Sequence, residues 1–227
     1  HVHSGLAAPN QDPKKFYRGY DDGWGCILQN LDTHRSFSDS VLVDAILLAE
    51  EHRRMAELFM LKGPGGNGKS VSLKRIAWES GVTYNQLALY ANGPAGLRIE
   101  PLAEIYHLTG GRIFLFVDRI ALVRNELRDL LQAFDARSMP LSVVGAERDN
   151  EWNIYCEELE PFLCQEFPVR YLNEREINEI LGLLERHNAL GMLNDLGPED
   201  RFHAFKEGAG RQLLVALHEA TLGAPFE

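Results

Sequence analysis

One short segment of the chain has the residue types and spacing that bind phosphate. Gly63-Pro64-Gly65-Gly66-Asn67-Gly68-Lys69-Ser70 matches the P-loop pattern G-x-x-x-x-G-K-[ST] at every fixed position. Glycines allow backbone N–H groups to surround a polyphosphate, because they adopt positive φ angles and permit close approach. We expect Lys69 to contact the β- and γ-phosphates and the Ser70 hydroxyl to bind Mg²⁺. Gly63 to Val71 is therefore the predicted nucleotide site.

The segments on either side of this loop support that interpretation. Residues 57–61 form an apolar run that predicts a buried strand leading into the loop. Residues 70–78 predict a helix leaving it, whose positive N-terminal end would face the phosphates. The alternative is a glycine-rich turn that spells the motif by chance, and the flanking strand and helix make that alternative less favoured.

A second motif follows at Asp118, which ends the continuous apolar run 112–117. Such a run is typical of a strand buried on both faces of a parallel sheet. A carboxylate at its end is placed as a Walker B aspartate that helps to hold Mg²⁺, although acidic residues at strand ends are common. The next residue is Arg119, where many P-loop ATPases have a second carboxylate that activates water. We therefore expect slow hydrolysis or none, with Glu147 and Asp149 as candidate substitutes.

Two arginines are candidate sensors of the γ-phosphate. Arg148 follows the apolar strand predicted at 141–145, and its guanidinium could donate charge-assisted hydrogen bonds to that phosphate. Arg211 lies in the segment 208–211 that opens the last predicted helix and could reach the phosphates from there. For each, the alternative is a solvated surface arginine.

The order of elements predicts the fold class. Strands are predicted at 57–61, 86–90, 112–118, 141–145 and 167–172, with helices between them. This alternation indicates an α/β fold, a three-layer P-loop core with a parallel sheet and right-handed crossovers. After residue 172 only helices are predicted, starting with a capping box of Asn173 and Glu176. The predicted organisation is a lead-in at 1–37, a nucleotide-binding core at 38–172 and a small all-helical lid at 173–227.

Composition excludes several classes of protein. The 227 residues suffice for one α/β domain and a small companion, with ordinary globular composition. The net charge of −10 argues against a dedicated nucleic-acid surface, and no apolar run approaches the ~18 residues of a membrane span. The three cysteines lack CxxC spacing and fit a reducing cytoplasm. The chain starts without Met and ends just after a predicted helix, so we expect it to be part of a longer protein.

Together these motifs resemble the STAND class of P-loop ATPases, relatives of the AAA+ ATPases that include the NB-ARC and NACHT proteins. The matching segments are Walker A at 63–70, Walker B at 114–118, a strand with a sensor arginine at 143–149, the start of the helical domain at 171–177, a sensor-2-like motif at 208–211 and, more weakly, a base-binding segment at 16–19. The resemblance covers almost the whole chain, but Walker A alone is specific.

The resemblance implies a function as well as a fold. The ligand would be ATP or ADP with Mg²⁺, and nucleotide exchange would change the lid position and drive homo-oligomerisation. It further implies fused effector and sensor domains, as in bacterial STAND proteins of antiviral defence, and a cytoplasmic location. Arg119 departs from the family pattern and argues against rapid hydrolysis.

Two other functions are weighed against the regulatory switch. A nucleotide-binding scaffold without turnover is favoured by Arg119. A P-loop small-molecule kinase would need an acceptor pocket and an arginine-rich lid, whereas the arginines of the lid are dispersed at Arg175, Arg186, Arg201 and Arg211. The switch is the preferred hypothesis.

Overall fold

The computed structural model of the chain describes residues 1–20, 23–208, 213 and 215–217. The chain divides into two compact units. The first comprises residues 1–6, 37–64 and 72–169, and the second comprises residues 7–36, 65–71 and 170–227. Each unit is therefore assembled from segments that are far apart in the sequence.

Within the described residues of the first unit, five strands form a single parallel sheet. They are β1 (Ala56–Gly63), β2 (Ala88–Ala91), β3 (Ile113–Asp118), β4 (Leu141–Arg148) and β5 (Leu163–Pro168), in the spatial order β2-β3-β4-β1-β5. The predicted α/β fold with a parallel sheet is confirmed. The long apolar strands β1, β3 and β4 occupy the middle of the sheet, where both faces are buried.

Helices alternate with these strands and then continue alone. Among the described residues they are α1 (Pro13–Tyr17), α2 (Gly25–Leu28), α3 (Ser36–Val41), α4 (Lys69–Trp78), α5 (Ile99–Thr109), α6 (Arg124–Ala136), α7 (Asp149–Tyr155), α8 (Glu174–Arg186) and α9 (Pro198–His203). Short π-helical segments follow α3, α4 and α9, at Leu42–Ile46, Glu79–Thr83 and Ala204–Gly208. Short 3-10 segments lie at Glu50–His52, Pro94–Leu97, Ile120–Val123, Glu157–Phe162 and Gly191–Asp195. Among the residues that the structure describes, no helix is both long and apolar enough to cross a membrane.

The predicted last strand lies earlier than the sequence pattern suggested. The prediction was 167–172, whereas β5 covers Leu163–Pro168. The middle of β5 contains the exposed residues Gln165 and Glu166, because the strand pairs with β1 on only one side. An edge strand of this kind lacks the continuous apolar run by which a central strand is recognised.

The hydrophobic core of the first unit fixes the segment that follows β3. Gly145 in β4 has no side chain, and a Cβ there would lie 2.0 Å from Ile120 Cδ1 and 2.8 Å from Met60 Sδ. Ile120 is fully buried in this space and belongs to the same core cluster as Leu127 and Leu130 of α6. Burying a side chain of this size stabilises a fold by roughly 1.5–3 kcal/mol. The glycine therefore allows the 3-10 segment after Asp118 to pack directly against the sheet.

A buried ionic network joins the amino ends of the central strands. Glu57 of β1 accepts hydrogen bonds from Arg53 and from the Ser142 hydroxyl of β4. Arg112, next to β3, donates to Ser142 at 3.2 Å and to the Glu50 carboxylate at 2.9 Å. Because each buried charge has an opposite charge beside it, the network fixes the register of three strands at the sheet edge opposite the predicted nucleotide loop.

The second unit contains the helix that begins the helical segment. As predicted, Asn173 and Glu176 form a capping box at the start of α8: the Asn173 side chain accepts from the Glu176 N–H, and the Glu176 carboxylate accepts from the Asn173 N–H, both at 2.9 Å. Ile177, Ile180 and Leu184 are buried along α8. The cap satisfies backbone donors that a helix start otherwise leaves unpaired.

Candidate nucleotide site

The predicted phosphate loop begins at Gly63, the last residue of β1. A Cβ at this position would lie 2.2 Å from the carbonyl oxygen of Val169, a distance that no side chain tolerates. Val169 approaches so closely because its N–H donates to the Lys62 carbonyl at 2.6 Å. Glycine is therefore required where β1 ends and the loop begins.

The loop backbone has the conformation that the motif predicts. Gly66 has φ 77° and Gly68 has φ 79°, both in the left-handed region that favours glycine. A Cβ on Gly68 would lie 2.9 Å from Leu213 Cδ2. Asn67, between the two glycines, is buried. Glycines at these φ angles leave the backbone N–H groups without side-chain obstruction, so the loop fits a polyphosphate ligand.

Lys69 and Ser70 lie in the first turn of α4, which begins at Lys69. Both residues are half-buried, whereas Leu73 and Ile76 further along the helix are fully buried. The helix is thereby fixed by its apolar side chains, and its first turn carries the ammonium and the hydroxyl. The partial positive charge of a helix N-terminus adds to the Lys69 charge in attracting an anion.

Asp118 lies at the same edge of the sheet as the start of the loop. Gly63 of β1 pairs with Arg148 of β4, and Asp118 of β3 pairs with Ala146 of β4. Since neighbouring strands are about 4.8 Å apart, the ends of β1 and β3 are separated by roughly 10 Å across the sheet. Asp118 is half-buried, and its Oδ1 accepts from the Arg119 N–H at 3.0 Å.

Arg119 has an uncommon backbone conformation. Its φ of 53° places it in the left-handed region, and its side chain is exposed. For a residue with a Cβ this conformation costs roughly 1–2 kcal/mol. The position that follows the Walker B aspartate thus carries a strained, positively charged residue.

Both carboxylate oxygens of Glu147 accept hydrogen bonds from backbone N–H groups. Its side chain is buried, Oε2 accepts from the Ala121 N–H at 2.8 Å, and Oε1 accepts from the Arg148 N–H at 2.8 Å. Burial raises the pKa of the neighbouring Cys156 thiol to about 11, and the negative charge of Glu147 adds to this shift. Because both carboxylate oxygens are hydrogen-bonded, Glu147 is better suited to fixing the 3-10 segment after β3 than to activating water.

The structure describes one of the two sensor candidates, Arg148. Arg148 is the last residue of β4, is exposed, and lies at the carboxyl edge of the sheet opposite Gly63. Arg211 lies outside the described residues.

A cleft beside Asp118 was not predicted from the sequence. It has a volume of about 330 Å³ and is lined by Tyr90, Asn92, Gly93, Asp118, Arg119 and Leu122, among others. Of these residues, Tyr90 and Asp118 lie in β2 and β3, and the others follow the two strands. The cleft brings the Asp118 carboxylate to the protein surface.

The second feature that the sequence did not reveal is Arg35. Its Nη1 donates to the Asn67 carbonyl at 2.9 Å, and its Nη2 donates to the Arg170 carbonyl at 3.0 Å. Burial lowers the pKa of its guanidinium, and the nearby Glu176 carboxylate opposes that shift. Nothing in the residues around Arg35 signals these bonds, because its partners are distant in the sequence.

The oxygen ligands available to a metal fit Mg²⁺. A serine hydroxyl and a carboxylate are hard donors of the kind that Mg²⁺ uses together with phosphate oxygens and water. Ser70 and Asp118 carry donors of this kind. In the parts of the chain that are described, no group of three or more His, Cys, Asp or Glu side chains is arranged to bind a metal ion.

Comparison with known proteins places this architecture in a family. The sequence profile of the Novel STAND NTPase 5 family matches residues 14–160, which is more than half of the chain. The matched range includes the P-loop, Asp118 and Arg148. No curated protein sequence matches significantly.

Solved structures of RuvB show the same fold. The Thermotoga maritima RuvB Holliday junction branch migration motor superimposes with a TM-score of 0.55 at 17% identity, covering 83% of this chain and 61% of RuvB. A single-residue mutant of the same protein gives a TM-score of 0.55 at 16% identity, covering 89% of this chain and 64% of that one. The Caenorhabditis elegans protein PCH-2 gives 0.48 at 14% identity, covering 77% and 54% of the two chains. At these identities the RuvB likeness concerns the fold alone, and the chain spans only about three fifths of the RuvB length.

The family match and the AAA+-like fold confirm the resemblance that the sequence motifs indicated, and they establish a nucleotide-binding NTPase module. The chain belongs to the Novel STAND NTPase 5 family of P-loop NTPases.

Proposed function

We propose that this domain is a regulatory switch whose state depends on the bound nucleotide. ATP or ADP binds with Mg²⁺ at residues 63–71, and the nucleotide sets the position of a helical lid formed by residues 173–227. The lid position in turn controls self-association. In this proposal residues 38–172 are the nucleotide-binding core, and residues 1–37 precede it with a candidate base-binding segment.

One observation carries this proposal. The loop residues 65–71 belong to the same compact unit as residues 170–227, which include α8. A ligand that orders the loop therefore acts on a segment that is grouped with the helices.

The proposed roles of the side chains follow from their chemistry. Lys69 neutralises the β- and γ-phosphates, and Ser70 and Asp118 hold Mg²⁺. Arg148 and Arg211 donate hydrogen bonds to the γ-phosphate and so distinguish ATP from ADP. Mg²⁺, when bound, would supply the positive charge that bridges the phosphate oxygens.

Turnover is expected to be slow. Arg119 occupies the position of the second carboxylate, and both oxygens of Glu147 accept backbone hydrogen bonds. Of the two candidate substitutes, Glu147 is thereby less available as a base, whereas Asp149 is exposed in the first turn of α7. Slow hydrolysis suits a switch, because the ATP state then persists long enough to be transmitted.

The proposed ligand is tested by denaturing the purified protein and identifying the released nucleotide by chromatography. We expect ADP or ATP at close to one per chain in the wild type and almost none in Lys69→Ala, because the phosphates lose their main charge partner. Arg137→Ala is the control, since Arg137 is an exposed basic residue at the end of α6. Equal nucleotide content in Lys69→Ala and the control would contradict the assignment of the loop.

A scaffold that binds nucleotide without turnover is the second candidate function, and the exposed Arg119 favours it. ATP turnover that disappears in Asp118→Asn would contradict this candidate. The kinase alternative gains no support from the family match.

The wider context is proposed from the resemblance alone. We propose that the domain works in the cytoplasm within a longer protein that carries effector and sensor domains and serves in antiviral defence. Its net charge of −10 argues against nucleic acid as a partner of this domain.

A further inference from the structure

Arg35 binds the phosphate loop from outside the motif. Its side chain is 5% exposed, and its Nη1 donates to the carbonyl oxygen of Asn67 at 2.9 Å. In a trans peptide the C=O and the following N–H point in opposite directions. Fixing the Asn67 carbonyl therefore also fixes the direction of the Gly68 N–H, which is one of the loop donors available to a phosphate.

The same guanidinium reaches the start of the helical segment. Its Nη2 donates to the Arg170 carbonyl at 3.0 Å, and its Nε lies 3.4 Å from Oε2 of Glu176, whose side chain is 2% exposed. Arg35 presents a rigid planar fork of donors, so it can hold these partners at once. One side chain thus contacts the loop, the chain entering α8 and the first turn of α8.

Glu176 completes the connection from the helix side. Its Oε1 accepts from the Ser36 N–H at 2.8 Å and from the Ser36 hydroxyl at 3.0 Å. Its Oε2 accepts from the Asn173 N–H at 2.9 Å, which is half of the capping box of α8. The residue that caps the helix is therefore also the charge partner of the residue that holds the loop.

We propose that Arg35 and Glu176 form the link through which occupancy of the phosphate loop is transmitted to α8. This inference rests on the proposed function. A phosphate that orients the Gly68 N–H also orients the Asn67 carbonyl towards Arg35, which in turn favours the charge pair with Glu176 at the start of α8. Because coupling between two sites is reciprocal, docking of α8 would tighten nucleotide binding by the same factor. Arg35 is a positioning residue in this account.

The test measures whether nucleotide protects α8. Hydrogen exchange of the amides in residues 178–186 is followed with and without saturating Mg²⁺ and a fluorescent N-methylanthraniloyl-ADP, whose Kd is obtained from the same samples. In the wild type we expect the nucleotide to slow exchange by a factor within the range of about 5 to 150 that is typical of coupled sites.

Two conservative variants remove the link without removing the P-loop. Arg35→Lys keeps the charge but replaces the fork with a single ammonium, and Glu176→Gln keeps the shape but removes the charge. We expect both variants to bind the nucleotide more weakly, and the fold loss in affinity should equal the fold loss in coupling. We also expect the nucleotide to slow hydrogen exchange in α8 by less than twofold in these variants. Arg201→Lys is the matched control, because Arg201 also donates to two carbonyls, of Leu193 and Asn194, and to the Glu185 carboxylate.

The outcomes separate this inference from the function on which it rests. The proposed switch is contradicted if the wild type binds no nucleotide, or if bound nucleotide leaves hydrogen exchange in α8 unchanged. Full protection of α8 in Arg35→Lys and Glu176→Gln overturns the link but leaves the switch intact. Circular dichroism checks that the variants fold; if one of them does not, the other carries the test alone, because each alters the contact between Arg35 and Glu176, and wild-type coupling in it overturns the proposal.

Discussion

At Asp118 the chain places a carboxylate at the end of a buried strand and follows it with an arginine in a left-handed conformation. The carboxylate is suited to a metal ion, whereas the arginine cannot take a proton from water. One acidic candidate, Glu147, has both oxygens engaged by backbone N–H groups. At the scale of single residues, this arrangement supports the proposal that hydrolysis is slow or absent.

Replacing Arg119 tests this interpretation. In Arg119→Glu a carboxylate follows Asp118, and we expect ATP turnover to rise at least tenfold, since a positioned general base contributes typically about 10²–10⁴-fold. Arg119→Gln is the control that removes the positive charge without adding a base. Turnover is measured by phosphate release under saturating ATP and Mg²⁺. Equal rates in the two variants would show that the missing carboxylate is not what limits hydrolysis.

At the scale of the elements, the sheet is fixed at its two edges by different chemistry. The carboxyl edge carries Gly63, Asp118 and Arg148, whereas the amino edge is joined by the buried network around Glu57. Because that network connects β1, β3 and β4, it holds the register that brings Gly63 and Asp118 to the same edge. The geometry of the candidate site therefore depends on residues at the opposite end of the strands.

Breaking this network should destabilise the first unit. In Glu57→Ala the buried guanidinium groups of Arg53 and Arg112 lose their shared carboxylate, and we expect the free energy of unfolding to fall by about 3–5 kcal/mol. Glu51→Ala is the control, because Glu51 is exposed. Urea denaturation followed by circular dichroism measures both. A change of less than 1 kcal/mol in Glu57→Ala would contradict the structural role assigned to the network.

The sequence predicted those elements whose residues carry a local signal. β1, β3 and β4 are apolar throughout their centres, and the glycines of the loop are recognisable by spacing alone. β5 was misplaced because an edge strand carries polar residues. Arg35 could not be found at all, since Asn67 and Arg170 lie 32 and 135 residues away in the sequence. Contacts of this kind are created by the fold and leave no local pattern.

At the scale of the whole molecule, the chain divides into two compact units. The residues of the predicted phosphate loop are divided between the units, with Gly63 and Pro64 in the first and residues 65–71 in the second. Neither unit alone contains the complete nucleotide motif.

The most direct measurement is the mass of the protein in solution with Mg²⁺ and either ADP or a non-hydrolysable ATP analogue, determined by sedimentation velocity. We predict that the two nucleotides give different distributions of monomer and larger species, and that Lys69→Ala gives the same distribution with both. Identical distributions for the wild type, at nucleotide concentrations shown to saturate the site, would contradict the account of this domain as a nucleotide-dependent switch.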